Sequence, residues 1–146
     1  MNILIADDDS TCRIVLSATL KKLGHEVTVA KNGEEALAVF DTVGASLLIS
    51  DMVMPDVNGL DLCRHIRAAN RPKYTYIILL TSVGGKSSYL VGMKAGADDF
   101  INKPFDEEQL AARLVVAGRI LNLQSKVNQL SGLLPICCVC KKVRDD

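Results

Sequence analysis

Five side chains able to handle a charged group stand at the ends of four short apolar runs. Asp7 and Asp8 follow Asn2-Ile-Leu-Ile-Ala6, Asp51 follows "ASLLIS", Thr81 follows "YIILL" and Lys103 follows "DFIN". Taken singly, each is an ordinary cap or loop residue. Taken together they aim acid, acid, hydroxyl and ammonium at one edge. A carboxylate at the tip of a buried strand is costly unless its charge is compensated. Two carboxylates about 4 Å apart repel by roughly 4 kcal/mol at an effective dielectric of 20. A cluster of Asp7, Asp8 and Asp51 therefore calls for a cation or for raised pKa values. A small set of oxygen-only ligands suits Mg2+, which keeps several waters and shares its shell with a phosphate. Lys103 supplies a second positive charge. A carboxylate beside Mg2+, a lysine and a hydroxyl is a competent nucleophile for phosphorus. The metal and Lys103 would neutralise phosphoryl oxygens while Thr81 donates a hydrogen bond to one of them.

That chemistry needs a scaffold that delivers strand ends to one rim. The apolar runs place strands at 3–6, 26–30, 46–50, 76–80 and 99–102. Helical periodicity places helices near 10–23, 33–43, 58–69 and 86–95, with a long helix starting at Asp106. Gly24 stops the first helix, and Asn32 with Glu35 and Asp106 with Gln109 read as cap pairs. Strict alternation with short linkers means an α/β domain, a doubly wound, five-stranded parallel sheet with helices on both faces, ending near residue 122. Continuous apolar strands fit burial on both sides, and ligands in such sheets gather beyond the carboxyl ends of the strands.

Composition sets the limits. The 146 residues are 49% hydrophobic and 23% charged, with 17 basic and 17 acidic side chains and a formal net charge of zero. A core is expected, and an overall basic balance of the kind expected for direct nucleic-acid binding is missing. No apolar run approaches the roughly 20 residues needed to span a bilayer. Five cysteines, two of them in helical patterns, read as a reducing, cytoplasmic setting. Asp9 reads as an exposed cap of the first helix, Asp56, Asp98 and Asp99 as turn residues, and His25 and His65 as surface residues.

The stretches "NILIADDDSTCRIVL", "LLISDMVMPDVNGLDL", "YIILLTS" and "AGADDFINKPF" resemble, in order and spacing, the receiver domain of bacterial two-component response regulators. The resemblance covers about residues 1–122. It implies a flavodoxin-like fold with strand order 2-1-3-4-5, an order for which a chemotaxis member of this family is a standing example. It implies Asp51 as phospho-acceptor and Mg2+ held by Asp7, Asp8, Asp51 and the Val53 carbonyl, with Asp7 acting through water. Thr81 and Lys103 would bind phosphoryl oxygens, and Phe100 would be a switch aromatic that turns inward as Thr81 moves toward the phosphate. Pro55 and Gly59 match the turn after the acceptor, and the Lys103–Pro104 bond is usually cis in the family. The implied partner is a sensor histidine kinase or a phosphotransfer protein, docking near Ser10, Thr11, Ile14 and the Pro104–Phe105 loop. The activity implied is a phosphorylation switch that catalyses its own phosphorylation and dephosphorylation, with no external metabolite turned over. The rival is an aspartate-nucleophile phosphatase acting on a small phosphate ester, whose D-x-D pattern is broken here by Val53. Val53 and Val83, two past Asp51 and Thr81, are apolar and cannot align an attacking water, which points to a long-lived acyl phosphate.

The long helix reaches past a minimal receiver. Leu110, Leu114 and Leu121 can face the sheet, while Val116, Ile120, Leu123, Val127 and Leu130 step by four, three, four and three. That is heptad spacing over about two heptads. It is compatible with a homodimer through a helical extension at 123–134, or with one amphipathic helix folded back on its own domain. After Gly132 the register breaks. The tail at 135–146 carries Cys137, Cys138 and Cys140, half of a four-ligand zinc site at most. It resembles the opening of a small Cys-rich module that follows receiver and PAS domains in some bacterial signalling proteins. With half a site, the expectation is a disordered tail without metal, an oxidisable thiol pair being the redox alternative.

Overall fold

Ile3, Leu4 and Ile5, like Leu47, Leu48 and Ile49 or Ile77 to Leu80, are fully buried in unbroken succession. Such runs demand a sheet covered on both sides. The computed structural model describes residues 1–69, 71–82 and 86–133, with the backbone alone at 86–88 and 128–133. Along them run β1 (Asn2–Ala6), α1 (Ser10–Lys22), β2 (Glu26–Ala30), α2 (Gly33–Val43), β3 (Leu47–Asp51), α3 (Gly59–Ala68), β4 (Tyr76–Thr81), α4 (Lys86–Ala95), β5 (Asp99–Asn102) and α5 (Glu107–Leu133). The strands pair in the order β2-β1-β3-β4-β5, all parallel, as the resemblance implies.

Alternate strand residues point to opposite faces. Leu4, Ala6, Leu48, Ile77 and Leu79 join Phe40 of α2 with Leu62 and Ile66 of α3. Ile3, Ile5, Leu47, Ile49, Ile78 and Leu80 join Leu16 and Leu20 of α1 with Leu110, Leu114 and Ala117 of α5. The sheet is thus sandwiched by two cores.

Local chemistry sets the helix ends. Asp9 caps α1 by accepting from the Thr11 amide, as its place in the sequence suggests. Asn32 accepts from the Glu35 amide at 2.7 Å, and Glu35 returns a bond to the Lys31 amide. At α5, Asp106 accepts from the Glu108 amide rather than pairing with Gln109.

Asp98 lies in the bend before β5, as expected, but its hydrogen bonds are not local, and Asp99 departs from the turn-residue expectation altogether. Asp98 accepts from Arg67 Nη2 at 2.7 Å, from the Ile77 amide at 2.9 Å and from the Tyr74 hydroxyl. Asp99 lies within β5 and pairs with Arg113 at 3.3 Å. The half-buried Arg67 needs an anion, and its partner lies 31 residues away, beyond the reach of any local pattern. His25 also differs, being half-buried with Nδ1 3.0 Å from the Met1 ammonium. His65 is exposed as expected, and Asp56 takes a left-handed φ of 64° in the turn.

α5 continues without a break past residue 122 to Leu133. Its second apolar stripe is not folded back on the domain, since Val116, Ile120, Leu123 and Val127 are all exposed. Among the described residues no helix is long and apolar enough to cross a membrane. The expectations for Val83, the Leu130 side chain and Cys137, Cys138 and Cys140 lie outside the described residues.

Candidate functional site

Strand register does most of the assembly. Ala6 pairs with Ser50, so the next residues, Asp7 and Asp51, leave the sheet side by side. Asp51 pairs with Leu80, and Thr81 pairs with Asn102, which brings Thr81 and Lys103 to the same rim. The Lys103 amide donates to the Thr81 carbonyl at 2.8 Å. Thr81 is buried. The Lys103–Pro104 bond is cis.

The acids converge as their positions suggest. One carboxylate oxygen each from Asp7, Asp8 and Asp51 lies within 4.8 Å of the others. Asp7 is fully buried and Asp8 exposed. Lys103 Nζ sits 3.1 Å from Asp7 Oδ2 and 3.3 Å from Asp51 Oδ2. Two carboxylates at such spacing repel strongly, and one lysine cannot neutralise three acids.

The titration tendencies express this crowding. Burial pushes the Asp7 carboxyl up, but hydrogen bonds from the Cys12 thiol, the Asp9 amide and Lys103 outweigh it and hold it below the usual value. Asp51 is pushed up by burial and by the charge of Asp7, which Lys103 and the Val53 amide only partly offset. Burial alone would lower Lys103, yet its bond to Asp7 and the charges of Asp51 and Asp7 raise it.

An all-oxygen donor set with surplus negative charge and one exposed member fits Mg2+. Asp7, Asp8 and Asp51 are the side chains that could hold it. Val53 is 67% exposed on the loop after β3, and its amide bonds to the Asp51 carboxylate, so that loop borders the cluster. The loop turns tightly. Met52 donates to the Leu80 carbonyl at 2.8 Å, and Gly59 donates back to the Met52 carbonyl at 3.0 Å. A Cβ at Gly59 would run into the Asp51 carbonyl oxygen, which explains a glycine eight residues after the acceptor candidate. Pro55 is exposed on the same loop.

Phe100 is half-buried on β5, facing α4. A Cβ at Gly92 would strike its ring, and its centroid lies 5.4 Å from that of Tyr89. The ring therefore occupies a slot that a glycine leaves open.

Two site neighbours escaped the sequence reading. The Cys12 thiol bonds to Asp7, and burial with that contact pushes the thiol up to about 12. Arg13 Nη1 donates to the Asp7 carbonyl at 2.8 Å. Both lie in the first turn of α1, directly after the acidic loop. That position was the only available sign, since neither residue type is distinctive there.

Known proteins agree with this architecture. The profile of the response regulator receiver domain matches residues 3–115. The chain is 42% identical over 118 residues to the chemotaxis protein CheY1 of Helicobacter pylori strain J99, covering 80% of this chain and 95% of that protein. It is 37% identical over 114 residues to the transcriptional regulatory protein TrcR of Mycobacterium tuberculosis, covering 78% of this chain and 44% of that one. The chain therefore spans nearly all of the chemotaxis relative but less than half of the transcriptional one. Among solved structures, the chemotaxis protein CheY4 of Vibrio cholerae superposes with a TM-score of 0.74 at 32% identity, over 79% of this chain and 96% of its own. With that match, the shared strand order and the convergent rim, this chain belongs to the response regulator receiver domain family of two-component signalling.

Proposed function

We propose that Asp51 accepts a phosphoryl group from a sensor histidine kinase or a phosphotransfer protein, and that the modified rim switches the surface formed by β4, α4 and β5. The observation that carries this reading is Lys103 bridging Asp7 and Asp51 beside the exposed Asp8. Asp51 attacks the phosphorus of a phosphohistidine. The new O–P bond forms as the N–P bond breaks, and the electron pair of that bond leaves on the imidazole. Lys103 takes charge from a phosphoryl oxygen, and the Thr81 hydroxyl donates to another. Mg2+ held by Asp7, Asp8, Asp51 and the Val53 carbonyl would supply the remaining positive charge when bound. Thr81 drawn toward the phosphate leaves room beneath it, and Phe100, against Gly92, is the ring placed to move. The kinase would dock over Ser10, Thr11 and Ile14, where Ile14 is 69% exposed, and over Pro104 and Phe105.

Incubation with Mg2+ and acetyl phosphate followed by intact-mass analysis tests the reading. One phosphoryl addition is expected on the native chain and none on Asp51→Asn. Equal labelling of the variant would sink the assignment.

A further inference from the structure

The exposed seam of α5 has the composition of a specific kind of helix pair. Val116, Ile120, Leu123 and Val127 are 43%, 36%, 60% and 53% exposed, and their spacing makes Ile120 and Val127 a positions and Val116 and Leu123 d positions. Leu130 is the next d in sequence. β-branched Ile120 and Val127 at a with Leu123 and Leu130 at d favour two parallel strands, with Val116 the one β-branched d residue.

Geometry leaves the seam free. The residues that hold α5 to the sheet are Leu110, Leu114, Ala117 and Leu121. At 3.6 residues per turn the two stripes lie about 120° apart around the helix, so a second helix can be added without displacing the sheet. The seam fades toward the domain at Arg113, the preceding a position, whose guanidinium is held by Asp99 at 3.3 Å.

Charge selects the orientation. The g positions are Arg119 and Lys126, and residues 115–133 contain no acid. An antiparallel pair would set Arg119 against Lys126 of the other chain with nothing to neutralise them. A parallel pair sets Arg119 beside Gln124, an uncharged acceptor. We infer that a second copy of this chain covers this seam as a short parallel coiled coil, bringing two receiver domains side by side with their chains leaving in the same direction. Packing of Leu110, Leu114, Ala117 and Leu121 against the sheet already holds much of α5 helical, which lowers the ordering cost that makes two isolated heptads too short. The buried area is small, so association is weak and concentration-dependent, in the micromolar range.

Sedimentation equilibrium of the full chain through that concentration range, in reducing agent so that tail thiols form no crosslink, tests the inference. The native chain should shift from monomer to dimer. Leu123→Asp with Val127→Asp should stay monomeric while keeping the native thermal transition of the domain. Val115→Asp, exposed but off the seam, should dimerise as the native chain does. Arg119→Glu should change the dissociation constant little in a parallel pair, but tighten an antiparallel one by creating two ion pairs with Lys126. A native chain that stays monomeric, a double variant that still dimerises, or loss of the dimer in Val115→Asp would each overturn the seam. Marked tightening in Arg119→Glu would overturn the parallel orientation.

Discussion

Lys103 and Asp7, 96 residues apart in the chain, meet at 3.1 Å on the rim of the sheet. The same ammonium reaches Asp51 at 3.3 Å, so one cation joins the buried acid to the acceptor candidate.

Replacing that cation tests its share of the chemistry. Lys103→Met should slow phosphorylation by acetyl phosphate by roughly a hundredfold, the cost typical of losing one charged or hydrogen-bonding group aimed at developing charge. Single-turnover labelling measures it. An unchanged rate would remove Lys103 from the mechanism.

Magnesium should stabilise the fold through the acidic cluster. At about a hundred times its Kd, a ligand that binds only the folded state adds about 2.7 kcal/mol, visible as a rise in Tm that a chelator reverses. Asp8→Asn keeps the shape of the exposed ligand but removes its charge, and it should lose most of that rise. An identical response in both proteins would place the ion elsewhere.

The lifetime of the acyl phosphate should reflect the side chain two past the acceptor. Val53 is exposed and apolar, so it offers no acceptor or donor to orient a water. Converting Val53→Asn together with Val83→Glu should shorten the lifetime several-fold in a decay assay after removal of the phosphodonor. Equal decay would show that these positions do not control hydrolysis.

At the opposite end of the sheet, Asp98 should matter for stability and not for labelling. Asp98→Ala leaves the Arg67 guanidinium, 26% exposed, without its anion and strips a partner from the Ile77 amide. Loss of a buried partner costs several kcal/mol, and the partial exposure brings the expectation to about 2–3 kcal/mol in urea unfolding. Phosphorylation of the folded variant should be unchanged.

His25 gives the fold a pH dependence. Burial and the Met1 ammonium lower its pKa from the ordinary 6.5. Below 6.5 the unfolded chain takes up a proton that the folded chain refuses. Stability is therefore full above that value, falls as pH drops through it, and levels off below the lower folded value. His25→Gln should flatten the Tm profile between neutral and mildly acid pH. A profile unchanged by the substitution would assign the dependence to other groups.

The strands and their order along the chain were legible because burial on both faces writes continuous apolar runs such as Ile77 to Leu80. The rim residues were legible for the same reason, since each polar residue marks where a buried run stops. The caps at Asp9 and Asn32 obey chemistry that acts over three residues. Tertiary structure alone decided that Arg67 would take Asp98 as its anion, that Cys12 and Arg13 would fold over Asp7, and that Phe100 would rest on Gly92. It also decided that the second stripe of α5 stays exposed instead of folding back on the domain. Periodicity and caps are written over a few neighbouring residues, whereas these contacts join distant segments whose separation is set by strand register and by the packing of helices on the sheet.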